Sequence, residues 1–156
     1  MTKGNLALVL HAHLPYVRSA KPGSLEEDWF FQALMECYLP LLETLEIAES
    51  KNHKPKITIS LSPTLLSLLD DDEIKDRFPK WMDIRIELIN KNKFSNISAS
   101  KHLARNIQHQ LSSWNKCKGN LIKRFAKLQS LKVIDILTCA ATHGYLPLLR
   151  ENPEAT

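Results

Sequence analysis

Three of the six histidines follow predicted strands, at the edge where parallel α/β folds bind ligands. His11 and His13 come directly after the apolar run at residues 6–10, and His143 lies a few residues beyond the run at 133–137. Because side chains alternate along extended backbone, His11 and His13 project to the same side. Two neighbouring imidazoles can ligate a metal ion or hydrogen-bond to sugar hydroxyls. The pattern therefore predicts a binding site, and both chemistries remain open.

Aromatic side chains near these histidines are further candidates for the binding site. Tyr16, Trp29 and Tyr145 could stack on the faces of sugar rings, although packing within a core or loop explains each of them equally well.

Carboxylates, in contrast, are scarce where the strands end. No Asp or Glu occurs in residues 7–25 or 136–150, whereas glycoside hydrolysis needs two carboxyl groups about 5 to 10 Å apart. The nearest acids favour structural roles: residues 26–28 at the start of a helix, residues 70–73 in a solvated turn, and Asp135 inside a strand. The sequence contains no phosphate-binding loop, no dinucleotide-binding glycine motif and no zinc-type cysteine spacing.

Three strands are predicted, near residues 5–11, 57–62 and 133–138. The first is a continuous apolar run, which is typical of a strand buried on both faces. Helical periodicity fills both intervals between the strands. Strands that alternate with helices predict an α/β fold with a parallel sheet.

The helices carry their own signals. Ser24 and Glu27 have the spacing of a capping box, so a helix should begin there, and Pro40 should kink or divide it. A long helix is predicted over residues 103–128, with a weak point near Gly119.

Composition limits the class of protein. The chain has 156 residues, 44% of them hydrophobic, and a net charge of +4, which suits one globular domain over residues 1–156. Basic residues are spread among acids, so we expect no nucleic-acid partner. The apolar run at residues 6–10 is too short for a membrane span, so we expect no membrane partner either. Three cysteines without a Cys-x-x-Cys motif predict a reduced, cytoplasmic protein.

The end of the sequence predicts an incomplete unit. Residues 152–154, Asn-Pro-Glu, have the pattern that begins a helix, and the third strand has neither a covering helix nor a following strand. We therefore expect the 156 residues to be the front part of a larger α/β unit.

Two motifs at the strand ends form a specific pair: HAHLPY at residues 11–16 and ATHGYLP at residues 141–147. Together with residues 8–18, 26–29, 38–42, 58–65 and 141–149 as a whole, they resemble glycoside hydrolase family 57, and most closely its 1,4-α-glucan branching enzymes. The likeness runs over essentially the whole chain.

The resemblance implies the amino-terminal portion of a (β/α)7 barrel and an α-glucan substrate such as glycogen or starch. Enzymes of this kind retain anomeric configuration without a metal or other cofactor; they cut α-1,4 links and form α-1,6 links. By the family pattern, His11, His13, Trp29 and His143 would contact the substrate. The family's nucleophilic Glu and acid/base Asp lie in motifs beyond Thr156, so the resemblance implies no catalytic residue here and an inactive, truncated segment.

Two alternatives remain open from the sequence. A His-x-His after the first strand also begins some metal-dependent amidohydrolase-like sites. A non-catalytic protein could instead bind glucan, or bind a downstream polypeptide that completes the barrel, through the opened sheet edge.

Overall fold

Three parallel strands form a single sheet in the order β1-β2-β3. The structure is a computed structural model that describes residues 4–18, 21–91, 97–142, 144–152 and 154. The strands are β1 (Val9–Ala12), β2 (Ile57–Leu61) and β3 (Ile134–Leu137). The parallel register places His11 beside Ser60, and Ser60 beside Leu137. The predicted α/β class with three parallel strands is confirmed, and the sheet does not close among the described residues.

Helices fill the intervals between the strands, as the periodicity predicts. No helix in the described ranges is long and apolar enough to cross a membrane. The helices are α1 (Leu25–Ala33), a π-helix (Leu34–Tyr38), α2 (Leu39–Ser50), α3 (Pro63–Asp70), α4 (Asp72–Lys91), α5 (Ile97–Lys116), α6 (Leu121–Ser130) and α7 (Leu146–Leu149).

Pro40 produces a π-helical turn and does not end the helix. Proline cannot donate a backbone hydrogen bond, and its ring crowds the carbonyl group four residues earlier. The backbone widens just before it, so that the Leu39 N–H donates to the Leu34 carbonyl, five residues back. Helical backbone therefore continues from α1 through the π-helix into α2, with no division of the chain at Pro40.

The core lies between the sheet and the helical layer, and aromatic rings from three helices meet in it. Phe31 of α1 lies 5.4 Å from Phe78 of α4, and Phe78 lies 4.5 Å from Trp114 of α5, measured between ring centroids. The turn after α5 contains Gly119 at φ +70°, where a Cβ atom would come within 2.8 Å of the Trp114 ring. The positive φ angle, which is not helical, divides the long predicted helix here, and the close approach of the Trp114 ring leaves room only for glycine.

Two sequence predictions need correction. β1 begins at Val9 rather than near residue 5, and its apolar run is not buried on both faces: Leu6 is 95% exposed and Val9 is 55% exposed. Leu6 precedes the strand, and the Val9 side chain lies on a face of β1 that the described residues do not cover; β1 pairs in the described structure with β2 alone. The acidic run is a helix start rather than a solvated turn, because Asp71 accepts the Ile74 N–H at 3.0 Å and α4 begins at Asp72.

Candidate functional site

The two histidines of the first strand stack against each other. Their ring centroids are 5.9 Å apart and the planes are inclined by 21°. His11 lies on β1 and is exposed, whereas His13 follows the strand and is half-buried. The alternation that predicts a common side for both rings therefore brings them together at the carboxyl end of β1.

The end of β2 holds the segment that follows β1 in place. Ser62 donates its N–H to the Ala12 carbonyl at 3.1 Å, and the Thr64 hydroxyl donates to the Leu14 carbonyl at 3.1 Å. Ser62 also caps α3, since its side-chain oxygen accepts the Leu65 N–H. The same turn thus starts α3 and positions the backbone on both sides of His13.

A cavity of about 390 Å³, which we call the aromatic cavity, lies next to this segment. Tyr16 and Trp29 both line it, and each side chain is more than half exposed. Its lining residues are Leu14, Pro15, Tyr16, Val17, Lys21, Ser24, Glu26 and Trp29. Two accessible aromatic rings beside hydroxyl, ammonium and carboxylate groups can stack on a sugar ring and hydrogen-bond to its hydroxyls.

The start of α1, which carries Trp29, is held by a buried carboxylate. Ser24 accepts the Glu27 N–H at 3.2 Å, and the Glu27 carboxylate accepts the Gly23 N–H at 2.6 Å. The predicted capping pair is present, although Glu27 reaches Gly23 rather than Ser24. Glu27 is only 5% exposed and forms an ion pair with Arg77 of α4 at 2.8 Å.

Asp28 provides a second connection between α1 and α4. It accepts a hydrogen bond from the Trp81 indole N–H at 2.7 Å and pairs with Arg85. The Arg85 guanidinium lies 4.8 Å from the centroid of the Trp81 ring. Because Glu27 and Asp28 directly precede Trp29, these contacts fix the helical turn that presents its indole to the aromatic cavity.

Arg18 joins the segment after His13 to the start of α4. Its guanidinium pairs with Asp71 and with Glu73, the latter at 3.0 Å. Partial burial alone would raise the pKa of the Asp71 carboxyl, but the Ile74 N–H and the Arg18 cation outweigh it and hold that pKa below its usual 3.8.

The predicted site residues fall into two groups. His11 and His13 are in contact, whereas Trp29 shares a cavity with residues 14–17 and not with the histidine rings. His143 lies outside the described residues. The sequence suggested Tyr16 only as a stacking candidate, and it missed Glu26 as a cavity residue because the helix-start pattern explained that acid fully. Within the described ranges, no three His, Cys, Asp or Glu side chains gather as metal ligands.

Comparison with known proteins identifies the protein family of this chain. The family model of Glycosyl hydrolase family 57 matches residues 7–155 of the 156 residues. The chain belongs to this family, as the HAHLPY and ATHGYLP motifs predict.

The relatives include 1,4-α-glucan branching enzymes. The chain is 33% identical over 154 residues to that of Thermococcus kodakarensis, covering 94% of this chain and 22% of the relative. It is 27% identical to a probable branching enzyme of Mycobacterium tuberculosis, covering 94% of this chain and 27% of the relative. The chain therefore spans about a quarter of the length of these relatives.

Solved structures agree in fold. The branching enzyme of Pyrococcus horikoshii superposes with a TM-score of 0.88 at 34% identity, over 94% of this chain and 29% of that structure. The α-amylase AmyC of Thermotoga maritima gives a TM-score of 0.86 at 32% identity, over 98% of this chain and 30% of that structure. These similarities agree with the family assignment and with the α/β fold, and they do not favour a metal-dependent amidohydrolase.

Proposed function

We propose that residues 1–156 form part of a family 57 catalytic domain that acts on α-glucans, most closely in the manner of a 1,4-α-glucan branching enzyme. The observation that carries the proposal is the stacked pair His11 and His13 beside the aromatic cavity, in a chain that belongs to this family. Imidazole groups hydrogen-bond to sugar hydroxyls, and the rings of Tyr16 and Trp29 stack on sugar faces. His143 joins them as a further glucan contact. The three free cysteines support a cytoplasmic location.

The reactive carboxylates come from polypeptide that corresponds to the remainder of the family domain. A retaining mechanism needs two carboxyl groups about 5 Å apart, one as the nucleophile and one as the acid/base. In the described site, Glu26 is the cavity carboxylate, whereas Glu27 and Asp28 are engaged with Arg77 and Arg85. We therefore assign binding of the glucan to this chain, and we expect the chain alone to be inactive.

The exposed edges of the sheet are where that polypeptide docks. Among the residues that the structure describes, β1 and β3 each pair on one side only, and apolar side chains of both strands are exposed, Val9 and Leu137 among them. Parallel strands are stable when both faces are covered. Docking of further strands on β1 and β3 completes a (β/α)7 barrel around the strand ends that carry His11 and His13.

Complementation tests this proposal. The Thermococcus kodakarensis enzyme, shortened by the segment that matches this chain, is co-expressed with residues 1–156, and new α-1,6 links in amylose are measured. We expect neither part to form links alone and the mixture to form them. A mixture without activity, although the two parts co-purify, would indicate a glucan- or partner-binding role without catalysis. Link formation by residues 1–156 alone would contradict the assignment of the carboxylates.

A further inference from the structure

A second cleft, of about 580 Å³, lies where α6 begins beside α2 and the end of α5. We call it the basic cleft, because a single carboxylate, Glu46, faces five cationic side chains: Lys116, Lys118, Lys123, Arg124 and Lys127. The excess of positive charge in this cleft equals the net charge of +4 of the whole chain. The remaining acids and bases of the sequence therefore balance.

The lone carboxylate of the basic cleft is already neutralised. Arg124 binds Glu46 through two hydrogen bonds, Nε to Oε1 and Nη2 to Oε2, both 2.8 Å long. Among the residues that the structure describes, the four lysines of the cleft have no ion-pair partner, whereas Lys75 and Lys91 on α4 do. Four lysine side chains, all of them exposed, thus line one cleft without an ion pair, and their like charges repel one another weakly through solvent.

The backbone around the basic cleft also disfavours a group of lysines at this place. Lys123 lies in the first turn of α6, where a helix prefers a negative charge, and that turn has no acidic residue. Lys127 follows four positions later, so the two ammonium groups are neighbours on the helix surface. Lys118 has φ +51°, a left-handed conformation that a side chain disfavours. Asn120 caps α6 by accepting the Lys123 N–H at 2.9 Å, but it brings no charge, so an anion in the cleft would still offset the repulsion between the lysines.

We propose that the basic cleft binds a diphosphate group, either as inorganic pyrophosphate or as part of a small molecule such as a nucleoside diphosphate. Lysine ammonium groups bind phosphate oxygens as point charges, and four of them match a ligand with several negative oxygens. The volume lies within the range of small-molecule sites. The basic cleft shares no lining residue with the aromatic cavity, so the proposal is independent of the glucan site.

Titration calorimetry with pyrophosphate and with ADP tests the proposal. In the variant Lys123→Gln/Lys127→Gln we expect the affinity for both ligands to fall about tenfold or more, because two charge-assisted contacts are lost. The matched control is Lys80→Gln/Lys101→Gln, which removes the same charge from exposed positions outside the cleft and should change affinity less than about twofold. If ADP binds more tightly than pyrophosphate, the ligand of the basic cleft is an organic diphosphate. If the two bind equally, or pyrophosphate binds more tightly, the cleft recognises the diphosphate group alone.

Cys117 gives a local readout, since it lines the cleft while Cys37 is exposed on the π-helix. Saturating pyrophosphate should slow alkylation of Cys117 by iodoacetamide and leave the rate at Cys37 unchanged. Equal loss of affinity in both double variants, absence of binding at millimolar ligand, or equal protection of both thiols would overturn the proposal. Tighter, length-dependent binding of single-stranded DNA would also overturn it and would identify a nucleic-acid surface instead.

Discussion

Trp29 presents its ring to the aromatic cavity from a turn of α1 in which the three adjacent side chains at positions 27, 28 and 30 are engaged elsewhere. Glu27 and Asp28 contact α4, and Phe30 is fully buried in the core. The indole itself is 57% exposed, so it can be removed without opening the core. Binding and folding can therefore be tested separately at this position.

Trp29→Ala should weaken binding of a maltooligosaccharide about 2- to 12-fold, which corresponds to the 0.5–1.5 kcal/mol of an aromatic stacking contact. Affinity electrophoresis in gels that contain glycogen, with the maltooligosaccharide added as a competitor, measures the change. Ile47→Ala, an exposed apolar truncation on α2, is the control and should migrate as the unmodified chain does. Unchanged retention of Trp29→Ala would place the glucan elsewhere.

Glu27→Gln tests the buried ion pair. The substitution removes the buried carboxylate from the Arg77 cation, whose side chain is only 21% exposed, and leaves it the longer contact to Glu73 at 3.7 Å; breaking a buried pair costs about 3–5 kcal/mol. We expect a loss near about 3 kcal/mol in the free energy of unfolding, measured by urea denaturation. Glu26→Gln, one residue earlier and exposed, should change stability by less than about 0.5 kcal/mol. Equal effects of the two substitutions would contradict a structural role of the pair.

At the scale of elements, features encoded by neighbouring residues were predictable from the sequence. The strands follow from an apolar run at residues 6–10, an alternating pattern at 57–61 and the aliphatic content of 133–137. The start of α1 follows from the Ser24 and Glu27 spacing, and the division at Gly119 from a helix-breaking residue. Contacts between distant segments were not predictable, such as those that Arg77 and Arg85 make to α1, some 50 residues earlier. The same holds for the aromatic cavity, which joins the segment after β1 to one face of α1.

The contribution of Asp71, at the start of α4, to the free energy of unfolding should depend on pH. Because folding lowers the Asp71 pKa below 3.8, its ionised form stabilises the fold at neutral pH, and this contribution is lost as the pH falls through the lowered value. Asp71→Asn keeps a side chain that can cap the helix but removes the charge that pairs with Arg18. We expect Asp71→Asn to be less stable than the unmodified chain at pH 7, and the difference to shrink below about pH 4.

Urea midpoints measured across this pH range check the prediction. Asp71→Ala also removes the cap and should cost about 1 kcal/mol more than Asp71→Asn at pH 7. Asp83→Asn, on the exposed side of the same helix, provides the matched charge control. A stability difference between Asp71→Asn and the unmodified chain that stayed constant with pH would exclude the ion pair as its cause.

At the scale of the whole molecule, a group of exposed apolar side chains lies around the β1 edge. Leu6, Leu8 and Val9 are all more than half exposed, and an unpaired parallel edge readily pairs with another chain. We expect residues 1–156 to self-associate at micromolar concentration when produced alone. The variant Leu6→Lys/Val9→Lys should shift the sedimentation profile to monomer, because edge lysines oppose strand pairing.

The control places lysines on α4 at two other exposed apolar positions, Ile84→Lys/Leu88→Lys. This variant should associate as the unmodified chain does. Dissociation by the α4 variant, with no effect of the β1 variant, would move the contact surface from the sheet edge to the helical layer.

The pairing of the three strands also affects how the chain reaches its native state. Val9 pairs with Thr58, and Ile57 pairs with Ile134, so the two ladders join positions about 50 and nearly 80 residues apart. The chain between two paired strands must close into a loop before any hydrogen bond between those strands forms. The entropy lost in closing such long loops slows folding. Helix formation within each interval shortens the distance between its ends, and refolding kinetics should therefore depend more on α2 and α6 than on the strands themselves.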